Sequence, residues 1–171
     1  MSKLFEALKQ IRELNPEVKL LCNFDLEKKI KEQDLAGKIS GDCLHNTVAL
    51  GYLSQCGLED CFSVSSAALF LQGDTADEQA CYPVRVASYL SAELVIIMND
   101  TDSEAVKTLK KYGCAIIEKD LSVLAKRTAT FLSNDKLQVE LKKKTILAKK
   151  DLSWDNLAVK LIGFFQEIIE A

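Results

Sequence analysis

Apolar positions along the chain alternate between two kinds of pattern. Leu4, Ala7, Leu8, Ile11 and Leu14 recur at helical spacing and stop at Pro16. "VKLLCNF" (18–24) follows, a short, mainly apolar run of the kind a buried strand makes. The alternation then repeats: a charged helical pattern over 25–37, a strand "TVALGYL" (47–53) broken near Gly51, a short helix over 57–63, and a strand "AALFL" (67–71). A loop, "QGDTADEQACY" (72–82), leads to a helix over 83–92 opened by Pro83, then to a strand "LVIIM" (94–98). A helix over 103–112 closes at Gly113, well placed as a C-cap, before a fifth strand "CAIIE" (114–118). The remainder is helical, over about 120–132, 135–149 and 153–170.

Short apolar strands without polar alternation, separated by helices, predict parallel strands covered on both faces. The fold class is therefore α/β: a three-layer, Rossmann-like sandwich of about five parallel strands with a helical C-terminus. No linker, repeat or low-complexity segment divides residues 1–171, so a single domain is expected.

Charge narrows the partners. A formal net charge of −3 gives no basic face for a nucleic acid. Lys142–Lys144 and Lys149–Lys150 lie on a helical pattern beside Glu140 and Asp151, which reads as a solvated face. No apolar run is long enough to span a membrane, and the amphipathic, mixed-charge N-terminus is unlike a signal peptide, so a cytoplasmic protein is expected. The six cysteines include no CxxC pair, and Cys22 and Cys114 fall in apolar strand patterns, as buried reduced thiols do. His45 is the single histidine, leaving little from which to build a histidine metal site or a Ser-His-Asp triad; no metal is expected.

In a parallel sheet, ligands bind beyond the carboxyl ends of the strands. The loops at 23–26, 51–55, 72–82 and 98–103 qualify. The 72–82 loop is the longest and carries Asp74, Asp77 and Glu78 into the Pro83 helix, whose free N–H groups and dipole favour an anion.

The order of these signals resembles the C-terminal, donor-binding domain of GT-B glycosyltransferases of the "glycosyl transferases group 1" type. "LFEALKQIRELNPEVKLLC" is similar to that family's first helix and following strand. "TVALGYLSQCGLEDCFSVSSAALFL" is similar to its glycine-ended strand, short helix and next strand. "YPVRVASYLSAELVII" resembles its Phe-Pro-x-Lys-x-x-Glu-Tyr-Leu-Ala-x-Gly-x-Pro-Val-Ile run. The closing helices, with a Ser-Trp start to the last one, complete a likeness covering nearly the whole chain. The resemblance implies a nucleotide-sugar donor and no other cofactor. Its diphosphate would meet the helix starting at Pro83, with Glu78, Arg85, Ser88 and the backbone around Leu50, Gly51 and Tyr52 as the donor-binding set; no catalytic residue is assigned. Arg85 matches a basic position of the family and either faces phosphate or covers the helix surface.

Departures from the family pattern are specific. Its two glutamates align with Ala80 and Ser88, with Glu78 close to the first; its glycine aligns with Glu93 and its proline with Val95. Serine in place of a glutamate removes charge-assisted hydrogen bonding worth about 1–3 kcal/mol, roughly ten- to hundredfold in affinity. Nothing here matches the family's mid-sheet first strand with its Gly-Arg…Lys-Gly loop, nor its acceptor-binding half. This chain alone is therefore expected not to turn over substrate. If the sheet simply closes, residues 18–24 pair with 67–71 in the order 2-1-3-4-5.

Two other readings compete. One is a non-catalytic, glycosyltransferase-like interaction subunit. Its surface would be the apolar stripe Trp154, Leu157, Leu161, Phe164, Phe165 and Ile168, which either packs on the sheet or meets a protein partner such as a missing N-terminal half. The other is a phospho-receiver-like signalling domain using Asp74, Thr101 and Lys119. Its magnesium site would need an acidic pair where "CNFDLE" offers Asp25 alone.

Overall fold

A computed structural model describes residues 2–33, 37, 39–73, 75 and 83–170. The chain is α/β and Rossmann-like. In order along it run α1 (Ser2–Leu14), β1 (Leu20–Cys22), α2 (Leu26–Glu32), α3 (Gly41–His45), β2 (Thr47–Ala49), α4 (Gln55–Ser63) and β3 (Ala67–Phe70). Next come α5 (Val84–Ser91), β4 (Val95–Asn99), α6 (Glu104–Tyr112), β5 (Ala115–Glu118), α7 (Leu121–Leu132), α8 (Asp135–Asp151) and α9 (Trp154–Glu170). All strand pairs are parallel.

β4 is central. Its alternate residues enter two cores: Ile96 and Met98 pack with Val86 and Leu90 of α5 and with Val106 and Leu109 of α6. Val95 and Ile97 pack with Ile116 of β5, Leu124 and Phe131 of α7, and Leu141 of α8. A strand buried on both faces has no polar face to show, which is why its sequence is continuously apolar. α8 joins the two layers: Leu141 belongs to one core and Ala148 to the other. Along the way the Thr145 hydroxyl donates to the carbonyls of Leu141 at 3.0 Å and Cys114 at 3.4 Å.

The five strands do not close into one ladder. Among the described residues β1 pairs only with β2, and β3–β4–β5 form a separate sheet, so the expected pairing of 18–24 with 67–71 is not made. α1 supplies the physical reason. It packs against α7 on the three-stranded side. Its Phe5 and Leu8 also enter a third core with Leu26, Cys43 and Leu20 on the two-stranded side. A helix is ~10 Å wide, about two strand spacings, so one helix seated on both units holds β1 and β3 apart. Arg12 fastens α1 to the two-stranded side: its guanidinium donates to both carboxylate oxygens of Asp42, at 2.9 and 3.2 Å, and to the carbonyls of Pro16 and Val18.

The outer strands are shorter than the apolar runs suggest. "TVALGYL" pairs only over Thr47–Ala49, and Val48, Leu50 and Tyr52 stand exposed. A short α3, capped by the Ser40 hydroxyl on the Cys43 N–H, precedes it.

Candidate functional site

The candidate donor site was read at the carboxyl ends of the strands, around the start of α5. Side chains of Asp25, Ser40, Ser54, Ser103, Asp120 and Asn134 cap the N-termini of six helices. α5 differs: it begins after Pro83 with no side-chain cap bond, so its first backbone N–H groups carry no side-chain acceptor. That leaves the positive end of the helix dipole available to an anion.

Arg85 lies exposed in the first turn of α5, its guanidinium 5.8 Å from the Phe70 ring centroid at the end of β3. It therefore lies near the helix N-terminus while its cation rests on an aromatic face, which is the surface-covering role of the two read for it. Ser88 is exposed one turn on, and its hydroxyl donates back to the Val84 carbonyl at 3.2 Å. A side chain turned onto its own helix makes a poorer ribose acceptor than a free carboxylate. Gly51 holds φ 68°, a left-handed turn that swings the chain out of β2 between exposed Leu50 and Tyr52. Glu78, with Asp74, Asp77 and Ala80, lies outside the described residues.

A network that the sequence did not disclose fixes the ends of β3 and β4. The Asn99 side chain accepts from the Gln72 N–H at 2.7 Å and donates to the Gln72 carbonyl at 2.9 Å. The Thr101 hydroxyl lies 3.1 Å from both Gln72 Oε1 and Ser103 Oγ, and Ser103 in turn caps α6. Asn99 thus imitates a further rung of ladder where β3 has already ended. The one signal was the polar run "NDTDS" directly after an apolar strand.

Of the receiver-like set, Asp74 lies outside the described residues. Asp25 is spent as the N-cap of α2, and Thr101 is held by Gln72 and Ser103. No cluster of three or more metal-ligating side chains occurs among the described residues. Burial pushes the Cys22 and Cys114 thiols up to about 11, with Cys61 adding to the shift at Cys22, so both are inert small hydrophobes at neutral pH.

Glu93 stands where the resembled family has glycine, and it holds φ 60° in the tight link from α5 to β4. A glycine would take that left-handed geometry without strain. The glutamate keeps it while its carboxylate meets Lys149 of α8 at 3.0 Å.

A cleft of about 460 Å³ opens between α1 and α7, lined by Glu6, Lys9, Glu13, Ser122 and Lys126 among others. Its charges are mixed, and it includes none of the donor-site residues. The apolar stripe of α9 does not pack on the sheet: α9 touches chiefly α8, and Trp154, Leu157, Leu161, Phe164, Phe165 and Ile168 are all exposed. No helix among the described residues is long and apolar enough to cross a membrane. No protein-family model matches the chain, and no curated protein matches it.

Proposed function

We propose that the chain is a nucleotide-sugar-binding domain of the GT-B glycosyltransferase type, incomplete on its own and working in glycosyl transfer only within a larger assembly. The observation that carries this reading is the interruption between β1 and β3. The resembled domain has its first strand in the middle of the sheet, between the strands equivalent to these two. No strand lies between them among the described residues, which keep the flanking elements in the matching order, with α1 seated on both units. The left-handed Glu93, at a position where the resembled family has glycine, is a second, independent support.

The donor diphosphate would lie against the uncapped start of α5 with Arg85 beside it, and the nucleoside against the exposed turn at Leu50, Gly51 and Tyr52. With serine at position 88 and its hydroxyl engaged on the helix, one strong ribose contact is lost, so weak binding is expected, in the high micromolar to millimolar range.

Thermal-shift titration with UDP-, GDP- and ADP-sugars tests the reading. A ligand at about 100 times its dissociation constant stabilises by about 2.7 kcal/mol, several degrees for a chain of this size. One nucleotide class should raise Tm in a saturable way, and Arg85→Ala should abolish the shift. No response to any of the three at tens of millimolar, about ten times the upper end of the expected range and worth about 1.4 kcal/mol, refutes a donor site in this chain.

A further inference from the structure

α9 presents an amphipathic face that its own fold leaves bare, and its residue pattern identifies what fits there. Written as heptads, Trp154, Leu161 and Ile168 fall at a, and Leu157 and Phe164 at d. Ala158 and Phe165 fall at e, and Lys160 and Glu167 at g. The apolar side chains of this face are open to solvent, from Leu157 at 39% to Trp154 at 86%, with Phe164 at 56%. Lys160 and Glu167 are exposed as well.

We propose that α9 is a self-association helix that pairs antiparallel with α9 of a second copy of this chain. In an antiparallel pair, a faces d, g faces g and e faces e across the two-fold axis. A single register satisfies all three. Leu161 meets Phe164 of the second copy, and Leu157 meets Ile168 of the second copy. On one flank Lys160 faces Glu167 of the second copy, twice by symmetry. On the other, the small Ala158 faces the large Phe165 of the second copy, also twice. A parallel pair would set Lys160 against Phe165 and match no charges.

The face is large enough. Three aromatic and three aliphatic side chains, a little over half exposed on average, offer roughly 600–700 Å² per copy, given ~150–250 Å² per large side chain. The pair would bury about 1,200–1,400 Å² in total, within the range of specific interfaces. An acidic membrane surface is the weaker match, because the polar side carries Asp155 and Glu167 against the single cation Lys160. The proposal is independent of the donor-site reading.

Sedimentation equilibrium of the full chain tests it. Wild type should be a dimer at tens of micromolar, with a concentration-dependent monomer fraction. K160E and E167K should each weaken the dimer at least tenfold, because each places like charges at both flank contacts. A mixture of the two variants should recover a heterodimer near wild-type strength, since every flank contact is then opposite in charge. L161E should be monomeric with unchanged helix content, because Leu161 is exposed and belongs to none of the three buried cores. A monomer at 100 μM overturns the proposal. So does a dimer insensitive to L161E, or charge variants that do not complement, and so does wild-type binding to phosphatidylserine vesicles without dimerisation.

Discussion

Thr128 offers a sharp test of how this core is held together. It lies on α7 between Leu124 and Phe131, is 1% exposed, and its hydroxyl has no hydrogen-bond partner among the described residues. A buried hydroxyl without a partner costs about 1–3 kcal/mol of desolvation. Thr128→Val replaces that oxygen with a methyl group of similar size and adds roughly 0.8 kcal/mol of apolar burial. Valine and threonine differ little in helix propensity, so α7 itself is unaffected. The expected gain is about 2–4 kcal/mol, a rise in Tm of roughly 6–11 °C for a chain of this length. Thr145→Val is the matched control. Thr145 is equally buried, but its hydroxyl donates to the Leu141 and Cys114 carbonyls. Removing that donor should be neutral or destabilising by about 1 kcal/mol. Urea unfolding followed by circular dichroism measures both. If Thr128→Val leaves the midpoint unchanged or lowers it, the hydroxyl is not a cost to the fold and the reasoning fails.

Glu93→Gly should stabilise by up to about 1 kcal/mol, because relief of the left-handed φ outweighs the lost exposed pair with Lys149; thermal unfolding reads this directly. Stability should fall between pH 9 and 11. The unfolded chain ionises its thiols near 9 while Cys22 and Cys114 hold their protons up to about 11, so the unfolded state loses protons first. The slope is at most about 1.4 kcal/mol per pH unit for each thiol and should flatten in Cys22→Ala and Cys114→Ala. On the acid side, the bond from Arg12 holds the Asp42 carboxyl below its ordinary value, so its contribution is present above about pH 4 and is lost as pH falls through the lower folded value. Asp42→Asn should remove that acid sensitivity, read as pH-dependent unfolding with and without the substitution.

Much of the fold was legible in the chain. "LVIIM" announced a strand buried on both faces, and Gly113 announced the end of α6, where it holds φ 60°. Pairing was less legible, since apolar runs identify strands but not which non-consecutive strands meet. β2 shows the limit: "TVALGYL" is apolar enough for a central strand, yet β2 has a single neighbour and pairs over three residues. α3 was missed because five residues are too few to set a period, and only the Ser40 cap betrays it. At the site, Arg85 and Ser88 were placed correctly on α5, but Ser88's turn back onto its helix is a matter of rotamer, not sequence. Glu93 concealed its left-handed backbone because the residue type that normally signals one is absent.

The seating of α1 also has a consequence for the order in which the chain comes together. Residues 67–132 alternate strand and helix with near neighbours in sequence, so they hold the short-range contacts that form quickly. α1 is synthesised before its helical neighbour α7, which begins only at Leu121, more than a hundred residues later. On the ribosome, the face of α1 that meets α7 must stay uncovered until α7 has emerged, while Phe5 and Leu8 can already pack with Leu20, Leu26 and Cys43. The small β1–β2 unit, tethered chiefly through that helix, would dock on the three-stranded unit only once α7 has formed and be the first part of the sheet to detach under stress, its amides exchanging long before those of β4.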